Sequence, residues 1–255
     1  MQGWELLLVL LAGAGAGLIN TVVGSGTLIT FPTLLALGVP PVLANVSNTV
    51  GLAPGGLSGV LATRTELVGQ RSRLVRLGTA SLIGGVVGAL LLLRLPSAAF
   101  DAIVPVLIGL GCVLVIVQPA LSRRLAARRA RLGVGEGPSH GSVALWLGVL
   151  LTGVYGGYFG AAQGVLLIAV MGIGLAESLP RINAVKNVLA LIVNGIASVV
   201  FVLISSVNWP AAGAIAVGSV VGAQIGGRVG RRLPPTVYRV VIVCVGLAAI
   251  INLLR

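Results

Sequence analysis

What most limits this chain is a succession of apolar runs close to the length that crosses a bilayer. A hydrocarbon core about 30 Å thick takes about 20 apolar residues as a helix, and the runs at 44–62, 77–93, 102–117, 185–204, 211–230 and 237–254 approach or meet that measure. Lipid offers the backbone no hydrogen-bond partners, so runs of this kind are read as helices. Two further stretches, 6–37 and 143–175, are apolar but longer, and small and polar residues interrupt each near its middle, at 20–27 and 156–164. Each reads as two helical arms joined by a break. Only 9% of the residues are charged, against roughly 25% in soluble domains, so a soluble fold is excluded. The 38 glycines follow no G-x-y period and accompany no Ser/Pro tract, which marks them as packing residues between close helices.

Charge decides how the interrupted stretches run. The formal net charge is +12, yet the basic residues lie between apolar runs, where the preference of Lys and Arg for cytoplasmic loops accounts for them and no nucleic-acid partner is needed. If each interrupted stretch crossed once, the Arg-rich segments 64–76 and 119–131 would face one side and 228–232 the other. If each goes in and comes back, 15 of the 17 Lys and Arg residues become cytoplasmic and only Arg94 and Arg255 remain outside. The return path therefore predicts an all-α polytopic membrane protein of two inverted-topology repeats, 1–118 and 142–255, each a broken or re-entrant helical hairpin followed by three transmembrane helices. Residues 119–141, with five Arg, Pro138 and His140, form a basic cytoplasmic linker expected to be a solvated loop. The N-terminus is placed outside a cytoplasmic (inner) membrane, and the first helix, which lacks a basic leader, is expected to be retained. The halves are weakly similar: Gly24 to Gly38 lies beside Gly160 to Gly174, and Ser47-Asn48 beside Lys186-Asn187 after a three-residue shift.

Non-helical backbone at membrane depth is tolerated where it lines a cavity or is buried in protein. In the first break, Val23-Gly24-Ser25-Gly26-Thr27, the free N–H groups of the arm beginning near Thr27 would point at the midplane, and such a helix N-terminus favours an anion. Asn20, Thr21, Ser25 and Thr27 add neutral donors; the competing reading is that the glycines only permit a tight bend. The second break offers Gln163, Tyr155 and Tyr158, with Gly160 and Gly164 shaping it as Gly24 and Gly26 shape the first. After each hairpin comes a polar helix entry, Asn45 to Thr49 and Asn183 to Asn187, with Asn194 two turns further in. Asn48, Lys186, Asn187 and Asn194 are candidate substrate residues there. The alternatives are interhelical hydrogen bonds, capping by Asn45 and Asn183, and a Lys186 that snorkels to the interface. Gly218, Gly222, Gly226 and Gly230, with Gly84 and Gly88, repeat at a spacing suited to close helix approach. Cys112 and Cys244 lie inside apolar runs, and no Cys/His cluster has metal-ligand spacing. The five acidic residues sit near helix ends or in loops and the single His140 lies in the linker, so no catalytic acid and base, metal or cofactor is expected.

The run Gly24-Ser25-Gly26-Thr27-Leu28-Ile29-Thr30-Phe31-Pro32, then Leu34 to Pro41, then Ala44-Asn45-Val46-Ser47-Asn48-Thr49, resembles the TauE/SafE family of membrane permeases. The second half repeats the plan, so the resemblance covers essentially the whole chain. It departs where Ala161-Ala162-Gln163 replaces a denser glycine run and Ile168 stands in the place of Pro32. The resemblance implies transport of a small anion such as sulfite or a sulfonate, often as export, by a multi-pass permease working by alternating access in the lipid bilayer. A passive anion channel and a non-transporting assembly or sensor subunit are the competing functions, and the oligomeric state is left open.

Overall fold

The computed structural model describes residues 2–132, 142–175, 177–229 and 235–253, and these form ten α-helices. In chain order they are α1 (Gly3–Val22), α2 (Thr27–Ala36), α3 (Pro41–Ala62), α4 (Arg71–Arg94), α5 (Ser97–Leu132), α6 (Val143–Tyr158), α7 (Gln163–Gly174), α8 (Leu179–Ile204), α9 (Trp209–Val229) and α10 (Pro235–Leu253). A 3₁₀ turn, Arg64–Leu67, follows α3. Five helices are long and apolar enough to cross a bilayer, and the two interrupted stretches are pairs of arms, α1 with α2 and α6 with α7, as expected.

Two expectations change. The basic segment expected as a loop from residue 119 is helical as far as Leu132, because 120–132 is almost wholly Ala, Leu and Arg, all strong helix formers. The rest of the linker, 133–141, lies outside the described residues, as do Gly230, Arg231, Arg232 and Arg255. The run 44–62 belongs to a 22-residue helix, α3, that is absent from the apolar five. Its Asn45, Ser47, Asn48, Thr49 and Ser58 are all buried, because α1, α8 and α9 surround it and shield the polar face from lipid.

Glycine contacts give the helix directions. A Cβ built on Gly218, Gly222 or Gly226 of α9 would stand 2.1, 1.9 and 2.7 Å from the carbonyl oxygens of Leu10, Ala14 and Leu18 on α1. Steps of four on one helix match steps of four on the other, so α1 and α9 run the same way with their backbones nearly touching. Gly51 and Gly55 of α3 meet Ala212, Ile215 and Ser219 of α9, at the levels where Gly13 and Gly17 of α1 also meet it. With α1 and α3 parallel and level, α2 must carry the chain back between them. In the other helix group, Gly84 and Gly88 of α4 pack on Leu150, Gly153 and Val154 of α6, while Gly78 and Gly85 pack on Ile192 and Val193 of α8. Thus α4, α6 and α8 are parallel, and α7 is the returning arm. α3 and α8 cross in opposite directions, with Thr49 beside Ser198 and Thr63 beside Asn187.

The α1–α9 seam therefore predicts that Gly222→Val forces the helices apart at an overpacking cost of about 1–3 kcal/mol. Gly195, which has nothing within 4 Å of a built Cβ, is the control. Thermal unfolding in detergent should show a lower midpoint for Gly222→Val and an unchanged or higher one for Gly195→Ala.

Candidate functional site

The two breaks meet each other. The Gly164 N–H at the start of α7 donates to the Gly24 carbonyl at 3.0 Å, and a Cβ on either glycine would lie 2.4 Å from the Cα of the other. Gly24 also has φ +88° and Gly160 φ +76°, conformations that side chains rarely adopt. Ala162 holds φ +58° without being glycine, so the second break turns despite its sparser glycines. Tyr155 braces it by donating to the Ala161 carbonyl at 2.6 Å.

Each outgoing arm ends in carbonyls that no further turn of its own helix satisfies, and polar residues of the opposite half receive them. Asn183 donates to Thr21 O at 3.1 Å, and Lys186 donates to Asn20 O at 2.8 Å and Thr21 O at 3.4 Å. In the other direction Asn45 donates to Tyr158 O at 2.9 Å. Asn45 and Asn183 do cap helices, but those of the opposite half. Counting from these two equivalent residues sets Lys186 beside Asn48, one place from the alignment read in the sequence. Lys186 is fully buried, with 0% exposure, so it does not snorkel to the interface. Its Nζ donates at the carbonyl end of α1, the negative end of that helix dipole, and among the described residues no carboxylate pairs with it.

Around this meeting point lies a cavity of about 40 Å³, room for roughly three waters or one small ion. It gathers five of the eight predicted substrate residues, Asn20, Thr27, Gln163, Asn187 and Asn194, and three of the four break glycines, Gly24, Gly160 and Gly164. Ser25, Asn48, Lys186 and Gly26 are not in its lining. Asn48 binds Thr30 and donates to Thr27 Oγ1 at 3.3 Å, fixing the start of α2. Gly26 lies against Ala16 O and the Asn20 side chain. Ser25 is buried with its hydroxyl unpartnered. Lys186 stands directly behind the lining, its Cδ 3.0 Å from a Cβ built on Gly164. The α2 N-terminus is less open than the sequence suggested: Gly26 N–H donates to Asn20 Oδ1 at 2.7 Å, Leu28 N–H to Ser25 O and Ile29 N–H to Gly26 O. The donor left for a ligand is instead the Gln163 amide. That side chain is 3% exposed, lines the cavity, and has no partner for Nε2.

Thr21, Gly55, Gly56, Gly59, Ala190 and Leu191 complete the wall. The Pro54-Gly55-Gly56 step was the available signal for the α3 part, since three helix-disfavouring residues in one span mark a backbone that something approaches. Among the described residues no His/Cys/Asp/Glu cluster could hold a metal. At the ends of α4 and α8, outside the spans, Glu177 accepts from Arg73 at 3.0 Å and Arg181 at 2.9 Å. Burial alone would raise its pKa, but the Arg73 hydrogen bond and the Arg181 charge outweigh it and hold the carboxyl below its ordinary 4.5.

The family model of the TauE/SafE sulfite exporters matches residues 9–253. A probable membrane transporter protein of Haemophilus influenzae is 28% identical over 251 residues, 94% of this chain and 91% of its own length. The probable membrane transporter protein YfcA of Escherichia coli K12 is 25% identical over 221 residues, 84% and 76% of the two lengths. The probable membrane transporter protein ORF9 of a Sinorhizobium species is 26% identical over 251 residues, 94% and 88%.

The site makes two predictions. Gly164→Ala places a methyl inside the Gly24 backbone and should lower stability by about 1–3 kcal/mol, read as a drop in thermal midpoint that Gly213→Ala, with nothing within 4 Å, does not share. Glu177, with a folded-state pKa below its unfolded one, contributes stability that is complete above the unfolded value and disappears as pH falls through the folded value. Unfolding midpoints followed from neutral to acid pH should fall more steeply for the wild type than for Glu177→Gln.

Proposed function

The chain belongs to the TauE/SafE sulfite exporter family and is a multi-pass membrane transporter, and on that premise we propose that it is a secondary permease for a small anion, bound where the two helix breaks meet. The carrying observation is Lys186. Effective desolvation costs several kcal/mol per buried ion, whereas a cation at a helix C-terminus recovers at most about 2 kcal/mol. When Lys186 is protonated, the carbonyls of Asn20 and Thr21 leave a deficit that an anion in the adjoining cavity offsets. Gln163 Nε2 supplies an unused donor to that anion, and Asn20, Asn187, Asn194 and Thr27 supply neutral polar contacts. A cavity this small suits a compact oxyanion, and membership of a family of sulfite exporters makes sulfite or a small sulfonate the leading substrate class, moved outward.

The halves 1–118 and 142–255 then act as inverted repeats joined through 119–141, and alternating access follows from one moving against the other about the central site. The parallel pairs α1–α9 and α4–α6, and the reciprocal capping by Asn45 and Asn183, support this reading. The basic residues that follow α3 and end α9 support placing those ends at the cytoplasm and the N-terminus outside the inner membrane.

Flux in proteoliposomes tests it, with sulfite, methanesulfonate, acetate and a neutral solute compared. Sulfite or the sulfonate should move and the neutral solute should not, and Lys186→Met should reduce flux at least about tenfold, the factor for loss of about 1.4 kcal/mol. Equal flux for neutral and anionic solutes, or none for any anion, rejects the reading. Impermeant labelling of single cysteines at residue 177 should occur from the cytoplasmic side and at residue 40 from the outside.

A further inference from the structure

A second cavity, of about 330 Å³, lies beyond the first at the end where α1, α3 and α9 finish. Thr63, Thr65, Glu66, Pro180, Asn183 and Gly226 contribute to its lining, and the exposed Thr65 and Pro180 carry it to solvent. Thr21 borders both cavities. Between them stand two ties: Asn187, which lines the central cavity, donates to Thr63 Oγ1 of the outer one at 3.2 Å, and Asn183 donates to Thr21 O at 3.1 Å. Asn183, Lys186 and Asn187 share one face of α8 by their spacing, so this wall is a single helix face laid against the ends of α1 and α3.

Toward the opposite end the central site meets a different barrier. Phe159 packs edge-on against Phe31 with ring centroids 5.1 Å apart, and Phe100 packs on Tyr158 and Phe159 at 5.6 and 6.1 Å. The three phenylalanines are fully buried, and Asn45 pins the backbone of Tyr158. One side of the site is thus closed by a layer of interlocked aromatic rings, and the other by the Asn187–Thr63 and Asn183–Thr21 hydrogen bonds, beside the Lys186 contacts to Asn20 O and Thr21 O, with open space behind them.

We propose that substrate passes between the central site and the Arg-rich end through the wall formed by Asn187–Thr63 and Asn183–Thr21, with Thr63 and Asn183 as its gating residues. The conformation described is then the one that opens toward that end, and the aromatic cluster is the gate held shut. This rests on the transport reading, but it can be tested without flux. Ala190 lines the central cavity, and a cysteine there, with Cys112→Ala and Cys244→Ser, reports access to an impermeant methanethiosulfonate added to either side. Labelling should come from the Arg-rich side alone. Thr63→Ala should quicken it about five- to tenfold, the factor for one net hydrogen bond, while Thr63→Ser should leave it unchanged. If Thr63→Ala does not elute as a folded protein, Asn183→Ala removes the second tie and should give the same acceleration. Equal labelling from both sides, or folded gate variants that label at the wild-type rate, would overturn the gate. Absent anion flux with this labelling pattern intact would reject the proposed substrate and leave the gate standing.

Discussion

Everything in this fold depends on where unpaired backbone goes when a helix stops inside a membrane. A break exposes carbonyls on one arm and N–H groups on the next, and lipid can satisfy neither. Here the two breaks solve the problem jointly: the Gly164 N–H finds Gly24 O, and the ends of α1 and α6 are received by Asn183 and Lys186 in one case and by Asn45 in the other. Neither half could keep its break without the other. The glycines at the crossing are required by distance rather than flexibility, since any side chain would hold the two backbones apart.

The reciprocity is incomplete in an informative way. Asn48 and Lys186 take equivalent places, three residues beyond the capping asparagines, but they act differently. Asn48 turns back to Thr27 and Thr30 of its own half, whereas Lys186 crosses to α1. A neutral amide in one half and a basic amine in the other makes the central site chemically one-sided. The proposed anion would draw on that asymmetry more than on the helix ends, because much of the α2 N-terminus is already occupied by its own chain.

The architecture was legible in the sequence wherever burial in lipid dictates composition. Run length marked the crossings, and the placement of Arg implied that the interrupted stretches return, which agrees with α1, α3 and α9 being parallel. The site was legible as a place, because polar residues and glycines in apolar runs have few other uses. Individual roles were less so. Lys186 read as a surface or ligand residue because the sequence does not show that the C-terminus of α1 lies against it, and Asn48 read as a ligand because its partners Thr27 and Thr30 come near only after the hairpin folds. Gly55, Gly56 and Gly59 read as ordinary helix-packing glycines, although Pro54 beside the first two sets them apart. The length of α5 was missed for a simpler reason: charge was allowed to stand for loop, although Ala, Leu and Arg favour a helix whether or not lipid surrounds it.

A transporter must also survive without its cargo, and the carbonyls around Lys186 bear on that need. A cation held by the substrate alone would make the empty protein costly and the loaded one hard to unload. One shared with a helix terminus keeps partial compensation at all times, so the anion adds only the difference. The affinity is moderated at the same contact that creates it. Because those carbonyls belong to Asn20 and Thr21, and Thr21 also borders the outer cavity, any movement of α8 away from α1 weakens the hold on the cation while it opens the wall. In the proposed mechanism binding and access are coupled through the same two residues, as a carrier requires when its ligand shifts an equilibrium only by its differential affinity for the two states.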